Sequence, residues 1–129
     1  MDCLFCKIIN GEIPSRTVYE DSIVKVIMDV NPDNKGHLLI LPKEHSTDIS
    51  YLPDTTLLHM RDVALKMSYL QNEKLGSTGT QFIINYGDTQ AIKHVHMHVL
   101  PHYPNDKPLK TEKLTTDEEL DEVFKLLTK

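Results

Sequence analysis

His94, His96 and His98 stand at strict two-residue spacing in Lys93-His94-Val95-His96-Met97-His98-Val99-Leu100, with Pro101 and His102 following. In an extended strand, alternate side chains share a face, so the three imidazoles point one way and Val95, Met97 and Val99 the other. Neighbouring rings would then lie roughly 6.5–7 Å apart. Surrendering a sheet face to imidazole costs packing that β-branched or aromatic residues would supply. Three kinds of reading fit. The rings could be satisfied structural histidines, they could be ligands of a catalytic zinc or iron, or one could be a nucleophile. In the last case a neutral ring nitrogen attacks phosphorus or carbon while its neighbour handles the proton.

Two cysteines, Cys3 and Cys6, are the only ones in the chain and lie at C-x-x-C spacing near its start. They are too close together to staple a secreted fold. In a reducing compartment the spacing points to redox or metal use, and with two histidines it would make a four-coordinate structural site.

The chain has 129 residues, which predicts one domain with one core. With 40% hydrophobic and 26% charged residues it reads as a globular protein. A net charge of −5 offers no basic field for nucleic acid and no cationic face for a membrane. No apolar run reaches the roughly 18 residues of a membrane span, and the first residues lack the basic start of a signal peptide. These features predict a cytoplasmic protein.

The elements that must carry the chemistry follow from periodicity. Leu4, Phe5 and Ile8 share one side of a helical turn that Gly11 and Pro14 interrupt. Val18-Tyr19 is a short strand. Ile23 to Val30 and His37 to Leu41, joined by the turn-rich 31–36 segment and ended by Pro42, form an antiparallel hairpin. A helix over 55–75 is predicted, with Asp54 as N-cap; Met60, Val63, Ala64, Met67 and Leu70 form its apolar stripe, and it stops before Gly76. Thr80 to Tyr86 and Lys93 to Leu100 are strands around the loop from Gly87 to Gln90. Residues to Leu114 read as irregular. Thr116-x-x-Glu119 resembles a capping box, and Leu120, Val123, Phe124 and Leu127 form the apolar face of a short C-terminal helix. Strands in meander order with one long helix predict an α+β domain rather than a parallel α/β fold.

Upstream of the histidines lies Asn85-x-Gly87-x-x-Gln90-x-Ile92. Together with the alternating apolar residues this closely resembles the histidine-triad (HIT) family, whose signature is His-φ-His-φ-His-φ-φ with φ apolar. Phe5-x-Lys7-Ile8-Ile9, Glu12-Ile13-Pro14 and Tyr19-Glu20-Asp21 resemble the N-terminal region of its Hint-type branch. Asp29-x-x-Pro32, Gly36-His37 and Leu41-Pro42-Lys43-x-His45 resemble its central hairpin. The resemblance covers residues 2–103. It implies an antiparallel sheet of about five strands with one long helix and short terminal helices, a HIT domain over 1–108 and a tail over 109–129 in the same globular unit.

The resemblance also implies a nucleotide hydrolase or nucleotidyl transferase acting at the α-phosphate of purine nucleoside phosphoramidates or adenylyl adducts. His96 would be the nucleophile, His98 would serve the phosphate and leaving group, and His37 would complete the imidazole cluster. Asn85 and Gln90 match positions that hold the phosphate or the site loop. Asp29 matches the carboxylate that takes the ribose hydroxyls, a role suited to acceptor oxygens, although a turn aspartate before Asn31-Pro32 looks the same in sequence. Leu4, Phe5, Ile8, Ile27 and Met28 would line the nucleobase slot. By similarity to the cysteine-bearing bacterial members, Cys3, Cys6, His45 and His94 would hold one structural zinc per chain, with no catalytic metal. A homodimer is the implied assembly. Two other functions stay open, a dinucleoside polyphosphate hydrolase and a non-catalytic nucleotide- or partner-binding module. The sequence departs from the family pattern in a Gly87–Gln90 loop two residues shorter, in Ala91 where many members carry serine, and in having no tryptophan. His59 and His102 read as solvated.

Overall fold

Two adjacent apolar runs, Val24–Met28 (β2) and Leu38–Pro42 (β3), form the centre of the computed structural model, which describes residues 2–106 and 116–129. They pair antiparallel from Val24↔Pro42 to Met28↔Leu38, as the hairpin reading predicts. Both are buried on both faces, which explains why they read as continuous rather than alternating apolar runs. Their turn closes at Gly36, whose φ of 85° lies in the left-handed region that favours glycine and where a Cβ would push against Leu75 Cδ1.

Thr17–Glu20 (β1), Gly79–Ile84 (β4) and Met97–His102 (β5) complete one antiparallel sheet in the order β1-β2-β3-β5-β4. This corrects the meander order. The long helix α2 (Asp54–Leu75) carries the chain across the sheet, and β5 returns between β3 and β4. The strand with more buried residues thus takes the inner place, and β4 the edge.

Alternation along the strands divides the core in two. Val24, Val26, Leu38, Ile40, Met97 and Val99 pack against Met60, Val63, Ala64 and Met67 of α2. Ile27, Leu39 and Leu41 face the other way, onto Cys3, Phe5 and Ile8 of the short helix α1 (Leu4–Ile9). His98 pairs directly with Leu39 and therefore lies on the α1 side. α2 begins one residue earlier than expected. Pro53 is its N-cap with no side-chain bond, and Asp54 is the first helical residue, where its charge suits the helix dipole.

Pro42 ends β3 as expected, whereas Pro101 lies inside β5. Pro42 pairs only with Val24 and Pro101 only with Thr80, because the β3–β5 ladder spans Leu38–Ile40 and Met97–Val99. Neither proline is asked for an amide on its unpaired side. The C-terminal helix α3 (Asp117–Leu127) starts at Thr116, whose hydroxyl accepts the Glu119 amide, and all its residues are exposed. The expected domain boundary at residue 108 and most of the irregular stretch before Leu114 lie outside the described residues. Among the described residues, no helix is long and apolar enough to cross a membrane.

Candidate active site and metal cluster

The histidine row is not one strand. β5 begins only at Met97, and residues 91–94 bend, because the Val95 amide donates to the Ser46 carbonyl (2.8 Å) instead of to a neighbouring strand. The bend sends the three imidazoles to two places. His94, fully buried, turns to the cysteines, while His96 and His98 stay together with ring centroids 5.2 Å apart, closer than an extended strand allows.

Each ring's tautomer follows from its partners. His96 Nδ1–H donates to the His94 carbonyl (2.7 Å), leaving Nε2 bare. The Asp33 amide donates to His37 Nδ1 (3.1 Å), so His37 Nε2–H donates to His98 Nδ1 (2.9 Å). His98 then carries its proton on Nε2, 3.5 Å from the side-chain amide of Asn85, which accepts it once the amide presents Oδ1 in place of its nitrogen. Burial lowers the pKa of His96 against the opposing effect of its carbonyl partner, and burial with the neighbouring His96 and His37 lowers that of His98. A neutral nucleophilic nitrogen and a neutral N–H donor therefore stand side by side.

A cavity of about 820 Å³ opens over this pair. His96, His98, Asp29, Leu4, Phe5, Ile8, Ile27 and Met28, all expected at the site, line it. Asp29 is a turn aspartate that also lines the cavity. Its Oδ1 accepts the Asn31 amide (2.9 Å) as a turn aspartate would, and its Oδ2 stands 3.6 Å from His37 Nδ1 at the cavity wall. Asn85, Gln90 and His37 are not among the lining residues. His37 and Asn85 meet the cavity only through His98, and Gln90 is buried with its amide donating to the Thr47 carbonyl (2.7 Å), which ties down the site loop.

Sequence reasoning missed Ser15, Arg16 and Leu39 at the cavity. Leu39 was legible as the cross-strand partner of Ile27, whereas nothing local marks Ser15 or Arg16. It also missed Lys25, a buried lysine whose ammonium donates to the Ile8 carbonyl (3.0 Å) and holds the end of α1. His59 and His102 are not free: His59 bonds Asp21 Oδ2 (2.7 Å) and His102 bonds Gln81 Oε1 (2.6 Å).

Behind the cavity, Cys3, Cys6, His45 and His94 bring four donor atoms within 4.8 Å of one another. His94 Nε2–H donates to the Pro42 carbonyl (2.8 Å), so its Nδ1 is bare. That nitrogen lies 3.0 Å from His45 Nδ1, 3.4 Å from Cys3 Sγ and 3.5 Å from Cys6 Sγ, while Cys6 Sγ is 3.3 Å from His45 Nδ1. A tetrahedral ion with bonds of about 2.0 Å to nitrogen and 2.3 Å to sulfur needs about 3.3 Å between nitrogens, about 3.5 Å between nitrogen and sulfur and about 3.8 Å between sulfurs. The donor set fits such an ion. Asp29, His37 and His98 also converge, but there the two rings bond each other and the Asp33 amide.

The HIT domain family matches residues 10–105. An uncharacterized HIT-like protein of Methanocaldococcus jannaschii is 40% identical over 126 residues, covering 95% of this chain and 96% of its own. An adenosine 5'-monophosphoramidase of Schizosaccharomyces pombe is 31% identical over 109 residues, covering 83% of this chain and 78% of its own. The crystal structure of a Zn-bound histidine triad family protein from Mycobacterium smegmatis superposes with a TM-score of 0.80 at 32% identity, covering 98% of this chain and 92% of that one. The triad, the sheet order and these likenesses agree, and the chain belongs to the histidine-triad (HIT) family.

Proposed function

We propose that this protein hydrolyses purine nucleoside phosphoramidates or adenylyl adducts, transferring the nucleotidyl group through His96. The observation that carries the reading is the bond from His96 Nδ1–H to the His94 carbonyl, which leaves Nε2 as a bare lone pair at the cavity. Its lowered pKa keeps that lone pair available at neutral pH.

In the first step His96 Nε2 attacks the α-phosphorus and the bond to the leaving group breaks. The leaving amine takes the Nε2 proton of His98 after that ring has been charged to imidazolium by a proton taken up with the anionic substrate, so a neutral ring and not an imidazolate is left. His37 keeps Nε2 the proton-bearing nitrogen at the cavity. In the second step a water gives its proton to His98 as its oxygen bonds phosphorus, and the phosphorus–nitrogen bond to His96 breaks. The proton count closes and His98 returns to its starting state. The nucleobase lies between Phe5, Ile8 and Ile27, and Asp29 Oδ2 takes the ribose. Asn85 orients His98, and Gln90 acts by holding the loop. The S. pombe relative's activity on an adenosine monophosphoramide supports this substrate class.

Cys3, Cys6, His45 and His94 would hold one zinc ion per chain, and the Zn-bound M. smegmatis structure supports that choice of metal. When bound, the ion supplies a structural tie between α1, the β3 end and the histidine segment. The protein acts as a cytoplasmic homodimer on a small-molecule nucleotide, with no nucleic acid or membrane partner. A panel of adenylyl and guanylyl phosphoramidates, mixed anhydrides and dinucleoside polyphosphates, assayed with wild type and His96→Ala, tests the reading. Turnover should favour the first two classes and vanish in the variant; dinucleoside polyphosphates as the preferred class would overturn the substrate assignment.

A further inference from the structure

His94 serves two sites with two groups. Its ring nitrogen Nδ1 faces the thiols and His45, and its backbone carbonyl receives the proton that sets the tautomer of His96. The ring is anchored at Nε2–H to the Pro42 carbonyl and joined to its own backbone through a single Cβ, so a displacement of the ring is passed to the backbone that carries the carbonyl. Anything that pulls on Nδ1 therefore moves the acceptor of the His96 bond.

Phe5 supplies a second connection. It lies between Cys3 and Cys6 on one turn of α1, and its ring meets His94 edge-on (centroids 6.0 Å, 90°) and His96 edge-on (4.9 Å, 71°). The same buried ring walls the cavity. A helix of six residues cannot hold itself in water. Its place depends on what its side chains grip, and two of its grips are the cysteines.

We propose that His94 and Phe5 are positioning residues through which occupation of the Cys3–Cys6–His45–His94 cluster sets the aim of His96. When the cluster is filled, the His94 carbonyl and the Phe5 ring are both fixed against the nucleophile. When it is empty, α1 loosens and the two supports relax together. The inference rests on the reading of His96 as nucleophile. It goes beyond a staple for the N-terminus, because a staple alone would leave the two sites energetically blind to each other. Coupling is reciprocal, so whatever orders the cavity must also be felt at the cluster.

The full chain loaded with Co(II) tests this, since the ligand-field and thiolate absorption bands report the geometry of the cluster. Saturating AMP should shift those bands, and His96→Ala should shift them without nucleotide. In a second measurement, single-turnover nucleotidylation of His96 by an adenosine phosphoramidate is compared in chelated and zinc-reloaded protein. Chelation should slow it at least about 10-fold, more than it weakens AMP binding, with recovery on reloading. Should the chelated chain unfold, Phe5→Leu in the Co(II)-loaded form replaces it. That variant should keep one ion per chain, lose the AMP-induced shift and slow nucleotidylation about 5-fold. Bands unmoved by both AMP and His96→Ala, or equal nucleotidylation rates in folded metal-free and loaded protein, would overturn the inference alone. Failure of the loaded chain to bind AMP at all would overturn the nucleotide reading and this inference with it.

Discussion

Replacing His37 by alanine should separate substrates by their leaving groups. His37 is 2% exposed, and both its nitrogens are engaged, one accepting from the Asp33 amide and the other donating to His98 Nδ1. The substitution removes the acceptor of the Asp33 amide, which at an exposed residue turns to water, and the main cost is the ring-sized space opened at the buried His37 position. A loss of about 2–4 kcal/mol is expected, a fall in Tm of roughly 10 °C for a domain of this size. The functional effect comes through His98. Without a donor at Nδ1 it is free to take the opposite tautomer, with a bare Nε2 at the cavity and no proton to give. An amine leaving group, which cannot depart unprotonated, should lose about 10²-fold in turnover, whereas a weakly basic sulfate or carboxylate should lose only a few-fold. His37→Gln, whose amide can still donate, should recover part of the loss. The assay is steady-state turnover of an adenosine phosphoramidate and an adenylyl mixed anhydride, run well below the variant's Tm. Equal losses on both substrates would refute the tautomer argument.

Cys3→Ala removes a metal ligand and also the sulfur that accepts the Cys6 amide at the start of α1; metal analysis should fall from about one zinc per chain toward none, and calorimetry should show Tm lower by about 5 °C or more. For pH, the folded-state pKa values of His96 and His98 are lowered, chiefly by burial, so the unfolded chain binds more protons between about 6.5 and those lower values. Their stability contribution is present above about pH 6.5 and lost as pH falls through the folded values, so urea unfolding should give a smaller free energy at pH 5.5 than at 7.5; the opposite order would contradict the burial argument. Leu58, Leu65 and Tyr69 on the outer face of α2, with Phe82 and Tyr86 beside the exposed edge of β4, leave apolar surface that a second copy would cover. Light scattering at micromolar concentration should give about twice the 14.8 kDa chain mass.

What the sequence made legible was local. The β2–β3 hairpin lies between strong turn signals, and α2 carries its stripe at Met60, Val63, Ala64 and Met67, with Gly76 closing it at a φ of 79°. Thr116 acts as the N-cap its spacing suggests, its hydroxyl accepting the Glu119 amide. The histidines announced chemistry but not geometry, because the path of His94 is decided by Cys3 and His45, 91 and 49 residues away. A period of two cannot register a bend imposed from that distance. Strand order was hidden for a related reason: which of β4 and β5 lies inside depends on competition for burial, not on either segment alone. Pro101 misled because a proline's tolerance in a strand depends on where the neighbouring ladder stops. Gln90 was open between phosphate and loop, and its bond to Thr47 speaks for the loop.

The most direct measurement is mass spectrometry of enzyme quenched without acid during turnover of an adenosine phosphoramidate. A neutral His96 Nε2 facing the cavity predicts an adenylyl group on His96, formed in a burst and absent from His96→Ala, whose turnover should be lower by about 10⁴-fold or more while AMP still binds. A label on His94 or His98, or near-normal turnover in His96→Ala, would contradict the account.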